Sequence, residues 1–190
     1  EQAGDACGGI DILINNAGAI KLSPVEKLPL KRFELMHQIN TRAVLAASEA
    51  ALPYLKKSDH AHIVNLSPPI NLDPKWFANY GPYTITKYGM SMLTISMAAE
   101  FKRVGVAVNS LWPRTIIATA AVEFEAGSPK VLECARTPHI MADAAYQLLI
   151  TAESEINGQH LIDEELLKNR GTENFDKYKH DPLSEKTLIN

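Results

Sequence analysis

The sequence predicts an α/β domain built on a parallel sheet, and three observations predict it. Ile10-Asp11-Ile12-Leu13-Ile14 is a short apolar, β-branched run that stops in the polar turn Asn15-Asn16-Ala17-Gly18. His62-Ile63-Val64-Asn65-Leu66 is a second such run. Between them, Lys31 to Lys57 sets Phe33, Met36, Ile39, Val44, Leu45, Leu52 and Leu55 at helical spacing, with Pro53 near the end. Strands that read as continuously apolar are buried on both faces, and parallel strands joined by crossover helices are the usual setting for them.

The remaining elements follow in order. Glu1 to Gly9 reads as the tail of a helix and a turn, and Pro24 to Leu30 as a loop. A loop rich in Pro and Asn runs from the second strand to Pro82, and a long helix from about Tyr83 to Lys102 follows it. Val104 to Leu111 is a third strand, broken by Trp112-Pro113. Residues 115 to 136 have little regular pattern and are expected to form a mobile lid over a site. Pro138 to Ala152 is a further helix, Gly158 to Asp163 a last strand, and Glu164 to Asn190 a polar surface tail.

With 190 residues, 46% hydrophobic and 22% charged, the chain can bury a sizeable core. A net charge of -3 supplies no electrostatic reason to expect nucleic acid or an anionic membrane as partner. No apolar run reaches the roughly 18 residues of a spanning helix, and no signal pattern is present. Cys7 and Cys134 lie far apart without CxxC spacing, which suits free thiols in a reducing, intracellular compartment. His60 and His62 share a face if they sit on a strand. They are read as sheet-edge residues and not as metal ligands, because no Cys, Asp or Glu is spaced to complete a site.

Tyr83-Thr84-Ile85-Thr86-Lys87 carries the chemistry. A tyrosine and a lysine four residues apart on a helix project from one face, so the ammonium lies near the phenol. A fixed positive charge there is expected to pull the tyrosine pKa down from about 10, which makes the pair a candidate general acid/base.

The set Asn15-Asn16-Ala17-Gly18, Asn40 in a helix, Ile63-Val64-Asn65-Leu66-Ser67, Tyr83-x-x-x-Lys87 and Val106-Ala107-Val108-Asn109 running to Pro113 resembles the short-chain dehydrogenases/reductases, in that family's order. The resemblance covers roughly residues 5 to 163 and is specific as a set. A closer match within the family is suggested by Ser67-Pro68-Pro69-Ile70-Asn71-Leu72, Trp76-Phe77 and Glu173-Asn174-Phe175-Asp176. It implies a Rossmann-like doubly wound parallel sheet, N-terminally truncated here, with residues 1 to 163 as the C-terminal two-thirds of the domain and 164 to 190 as an extension. It implies hydride transfer between NADP or NAD, with NADP taken first, and a carbonyl or alcohol of a lipid-, steroid- or acyl-like small molecule. Tyr83 would exchange the proton and line the cofactor, Lys87 would hold the nicotinamide ribose, and Asn40 would hold a proton-relaying water. Asn16, Ala17 and Gly18 would line the adenosine-ribose side, and Pro113, Ile116 and Thr119 would face the nicotinamide carboxamide. The implied setting is a homo-oligomer when full length, cytoplasmic, or mitochondrial or peroxisomal if eukaryotic. Leu188-Ile189-Asn190 is not a peroxisomal tripeptide.

Three departures from the family pattern shape the expectations. No glycine-rich strand-to-helix turn is present to cradle a pyrophosphate, so the 190-residue chain alone is expected to bind cofactor poorly and to show no turnover. The family's substrate-binding serine position is Pro68, which leaves Ser67 as its substitute. Arg114 replaces a common glycine, and a solvated surface side chain is weighed ahead of a phosphate contact. The alternative to an enzyme is a non-catalytic binding protein on a degenerate dehydrogenase scaffold. The joint presence of Asn40, Tyr83 and Lys87 argues against it.

Overall fold

Strand β2 (Ala61–Asn65) is buried at every residue, and the sheet forms around it. The computed structural model describes residues 2–126 and 130–184; expectations that touch 127–129 or the Leu188-Ile189-Asn190 end lie outside those residues. Two compact units are present, Glu1–Ser110 with Thr151–His160, and Leu111–Ile150 with Leu161–Asn190.

In the first unit α1 (Gln2–Cys7) leads into β1 (Ile12–Asn15), then α2 (Leu30–His37), a π-helical segment Gln38–Arg42, α3 (Ala43–Leu55), β2, and α4 (Gly81–Phe101). Strand β3 (Val106–Trp112) follows, and β4 (His160–Ile162) completes a four-stranded sheet in the order β1-β2-β3-β4. Leu13 pairs in parallel with Ile63, and Ile63 with Val108. This is the Rossmann-like parallel sheet that the sequence predicts, flanked by helices.

Alternation along the strands sorts side chains to two faces. Ile63 and Val108 join Val44, Leu55, Met90 and Met97 in the core under α3 and α4, with Leu13 packed against it. Each such fully buried aliphatic contributes about 1.5–3 kcal/mol. The expectation of a first strand buried on both faces is corrected. β1 is the outer strand of this sheet, and Ile12 and Ile14 are 39% and 45% exposed.

The helix expected over Lys31–Lys57 is two helices joined by one π turn, closed by Ala43 N–H donating to the Gln38 carbonyl. A π turn adds a residue to the helical repeat and rotates side chains away from their expected face. Here that residue set contains Asn40, which is fully buried.

The second unit is ordered where the sequence looked patternless. Residues 115–136 contain α5 (Ala120–Ala126) and α6 (Lys130–Glu133), and Arg136 bridges Ile117 and Lys179. The polar tail is corrected as well. It begins with α8 (Asp163–Asn169), whose Leu166 and Leu167 are buried, and α8 packs on α7 (His139–Leu149). Tyr178 is 2% exposed and donates to Asp143 Oδ2 at 2.6 Å. Three apolar anchors within a polar stretch were too sparse to show periodicity.

Candidate active site

Helix α4 begins where Pro82 occupies its first turn, a position that costs no helical hydrogen bond. Tyr83 and Lys87 therefore sit in the first two turns, at the end of the helix that follows the loop leaving β2. The Lys87 side chain is 8% exposed, and its Nζ donates to the Leu66 carbonyl at 2.8 Å, with Met90 Sδ at 3.7 Å. Burial lowers its pKa to about 8. Tyr83 is partly covered, yet its surroundings desolvate the phenol and raise its pKa to about 12. The expected lowering of the tyrosine by the lysine charge is thus corrected. Desolvation is the cause of the Tyr83 shift, and the Lys87 ammonium is directed to a backbone carbonyl.

Asn40 organises the other side of the site. Its Oδ1 accepts from Ala19 N–H at 2.8 Å, and its Nδ2 donates to the Ala19 carbonyl and to Thr86 Oγ1, both at 2.9 Å. Thr86 Oγ1 in turn donates to the Tyr83 carbonyl at 2.8 Å, and Thr41 Oγ1 donates to the Thr86 carbonyl at 2.9 Å. The π segment is in this way fastened to the turn of α4 that bears Tyr83 and Lys87. Gly89 permits the approach, since a Cβ there would lie 2.7 Å from Thr41 Cγ2 and Oγ1. Gly18 is the matching close point in the first turn: a Cβ there would stand 3.4 Å from Asn40 Oδ1 and 3.7 Å from Lys87 Nζ. Asn40, Lys87 and Gly18 are therefore brought together. Thr86, Thr41 and the Leu66 carbonyl are additions. Thr86 lies inside the Tyr83-x-x-x-Lys87 motif, whereas a π turn and a backbone acceptor have no residue signature.

Ser67 is fully buried just past the end of β2, and its Oγ has no hydrogen-bond partner among the described residues. Pro68 contributes its carbonyl, which accepts from Ser91 Oγ at 2.6 Å. Tyr88 OH donates to the Asn71 carbonyl at 2.7 Å and accepts from Asn71 N–H at 3.1 Å, which pins the loop after β2. Asn16, Ala17 and Gly18 are exposed beyond the end of β1.

Pro113, Ile116 and Thr119 belong to the second unit. There the Ile116 carbonyl accepts from Arg136 N–H at 2.9 Å, and the Thr119 carbonyl from Glu123 N–H at 2.9 Å. Arg114 is a surface side chain paired with Glu165 at 3.2 Å, and its backbone N–H is held by Asp163 Oδ1 at 2.8 Å.

A parallel α/β sheet with a buried lysine one turn after a tyrosine, and an asparagine from the preceding helix beside that lysine, is the arrangement of a short-chain oxidoreductase. Residues 1–127 match the family described as short chain dehydrogenase, and the chain belongs to that family. It is 51% identical over 182 residues to the hydroxysteroid dehydrogenase-like protein 2 of Xenopus tropicalis, covering 96% of this chain and 43% of that relative's length. This is the closer match that the Ser67–Leu72 stretch suggests. A protein of Xanthomonas campestris assigned as a dehydrogenase superposes with a TM-score of 0.91 at 42% identity, over 99% of this chain and 68% of that one. A protein of Beutenbergia cavernae assigned as an NAD(P)-dependent gluconate 5-dehydrogenase, solved with NADP, superposes with a TM-score of 0.70 at 26% identity, over 81% of this chain and 64% of that one.

Proposed function

We propose that the chain carries the catalytic half of an NAD(P)-dependent oxidoreductase acting on a carbonyl or alcohol of a lipid-, steroid- or acyl-like molecule. The observation that carries the reading is the buried Lys87 cation, held on the Leu66 carbonyl within one cluster with Asn40 and Gly18, four residues after Tyr83. The residues fit a nicotinamide cofactor. Gly18 keeps free a space that a Cβ would fill, and the Ser67 hydroxyl is a buried group lacking a partner. When bound, the cofactor supplies or accepts the hydride.

Tyr83 gives its proton to the substrate oxygen in reduction and takes one back in oxidation. A phenol raised to about 12 is fully protonated at neutral pH and so stands ready as the acid of the reduction direction. Lys87 holds the ribose hydroxyls and provides the positive charge that stabilises the phenolate left behind. Asn40 positions Thr86 in the turn that bears Lys87, and it holds the water that returns a proton to the surface. Ser67 donates to the substrate oxygen and gains the partner it lacks. Asn16, Ala17 and Gly18 line the adenosine-ribose side of the cofactor, and Pro113, Ile116 and Thr119 its carboxamide side. The choice of NADP over NAD, homo-oligomerisation and an intracellular compartment complete the proposal. Two free cysteines support the last of these, and no helix among the described residues is long and apolar enough to cross a membrane.

The test is consumption of NADPH and of NADH by the full-length protein with a panel of diketones, acyl carbonyls and steroids. Turnover with at least one carbonyl supports the reading, and none with either cofactor across the panel contradicts it.

A further inference from the structure

At the opposite end of β2 from Ser67, three metal-ligating side chains converge. His60 stands just before the strand and His62 within it, and their rings meet edge to face with centroids 4.7 Å apart. Glu153, supplied by the turn before β4, places Oε1 2.5 Å from His60 Nδ1 and 3.5 Å from His62 Nε2. The donor atoms of all three lie within 4.8 Å of one another. The sequence showed no acid spaced to complete this pair. The fold brings one from more than ninety positions downstream.

We infer that His60, His62 and Glu153 form a binding site for a borderline divalent transition-metal ion of the zinc, cobalt or nickel type. Metal–ligand distances of about 2.0–2.1 Å in a tetrahedral site place ligand atoms about 3.3 Å apart. The His62–Glu153 edge is already at that spacing, and the His60 side chain beside it is half-exposed. His62 is fully buried, and neither ring nitrogen has a well-formed hydrogen bond. Glu153 Oε1 is buried against the two imidazoles, without a hydrogen bond of good geometry among the described residues. The groups acting on the His62 ring are the His60 imidazole, the Glu153 carboxylate and the Thr151 backbone. A buried polar atom left unsatisfied is destabilising. One ion bound to three lone pairs gives His62 Nε2 and Glu153 Oε1 a common partner, and two imidazoles with one carboxylate select a borderline ion over the oxygen-seeking Mg²⁺ or Ca²⁺.

Three protein ligands leave a fourth position for water. The site lies away from Tyr83 and Lys87, at the other end of β2, so its role is structural: it clips the Thr151–His160 segment, which leads into β4, to the start of β2. Its test is independent of hydride transfer.

Full-length protein freed of metal with a chelator is titrated with ZnCl2 by calorimetry and with CoCl2 by visible absorption. One ion per chain, a tetrahedral cobalt spectrum and a higher melting temperature with zinc are expected. His60→Ala and Glu153→Gln should each remove the binding, the spectrum and the zinc-dependent rise while leaving metal-free turnover unchanged. His60 is surface-accessible and Glu153→Gln preserves shape, so both variants should fold, as circular dichroism checks. Binding only at millimolar metal, or binding that survives both substitutions, overturns the assignment.

Discussion

The side-chain amide of Asn40 donates to Thr86 Oγ1 at 2.9 Å, across 46 positions of sequence, and so ties a π turn to the helix that carries Tyr83 and Lys87. Asn40 is fully buried, and its three hydrogen bonds use both ends of the amide. Asn40→Ala strands Ala19 and Thr86 and should cost about 1–3 kcal/mol of stability in denaturant unfolding. Asn40→Asp should cost more, because it loses the donor and buries a charge. A stability loss in Asn40→Ala smaller than that of a surface control would show the amide to be dispensable.

Gly89→Ala should act on the same junction from the other side. Its Cβ would press on Thr41 Cγ2 and Oγ1 at 2.7 Å, so the Thr41 side chain or the backbone that carries it must shift. About 1–3 kcal/mol of destabilisation is expected, the range for overpacking. Thr41→Ala in the same protein removes the obstacle and should restore part of the loss, which a double-mutant cycle measures as coupling. Simple additivity of the two changes would contradict the contact.

The sheet is legible in the sequence because two continuously apolar runs and one long helical pattern leave few alternatives. Motif order singles out Asn40, Gly18 and Lys87, but the approach of Gly18 to the other two is seen only in the fold. The π turn is not legible, since i+5 bonding leaves no residue signature, and neither is the approach of Glu153 to His60 and His62, which depends on β4 joining the sheet beside β3. The tyrosine pKa was misread for a physical reason. Helical spacing reports that two side chains share a face, but it does not report desolvation, and here desolvation wins over a lysine directed to the Leu66 carbonyl.

Lys87 titrates near 8 in the folded chain, below the 10.5 of the free side chain. Between those values the unfolded state binds more protons, so stability should rise as pH climbs from about 8 to about 10.5. Below 8 the burial cost is present in full. Lys87→Met should therefore raise the melting temperature at neutral pH, by about 1–3 kcal/mol in unfolding free energy, and should flatten the rise above pH 8. It should also weaken cofactor binding. In the wild type, kcat/KM for carbonyl reduction should fall above about pH 8 as the ammonium is lost. A destabilised Lys87→Met protein, or a profile flat through that range, would count against the desolvated cation.

Ser67→Ala separates two roles. The hydroxyl is buried without a partner, so its removal should leave stability unchanged or raise it by about 1 kcal/mol. If it donates to the substrate oxygen, kcat should fall by about two orders of magnitude. An unchanged kcat would leave Ser67 with no part in the reaction.

Tyr83 is proposed as the proton donor beside the cofactor, with Lys87 as the main hold on its ribose. Tyr83→Phe in the full-length protein removes one hydroxyl and tests this by steady-state reduction of a reactive diketone beside a cofactor titration followed by tryptophan fluorescence. Turnover should disappear while the cofactor Kd stays within about threefold of wild type, as expected for a group that acts in the transition state. A Tyr83→Phe protein that keeps more than about a tenth of wild-type turnover would contradict the assignment, since general acid catalysis is worth about 10²–10⁴ in rate.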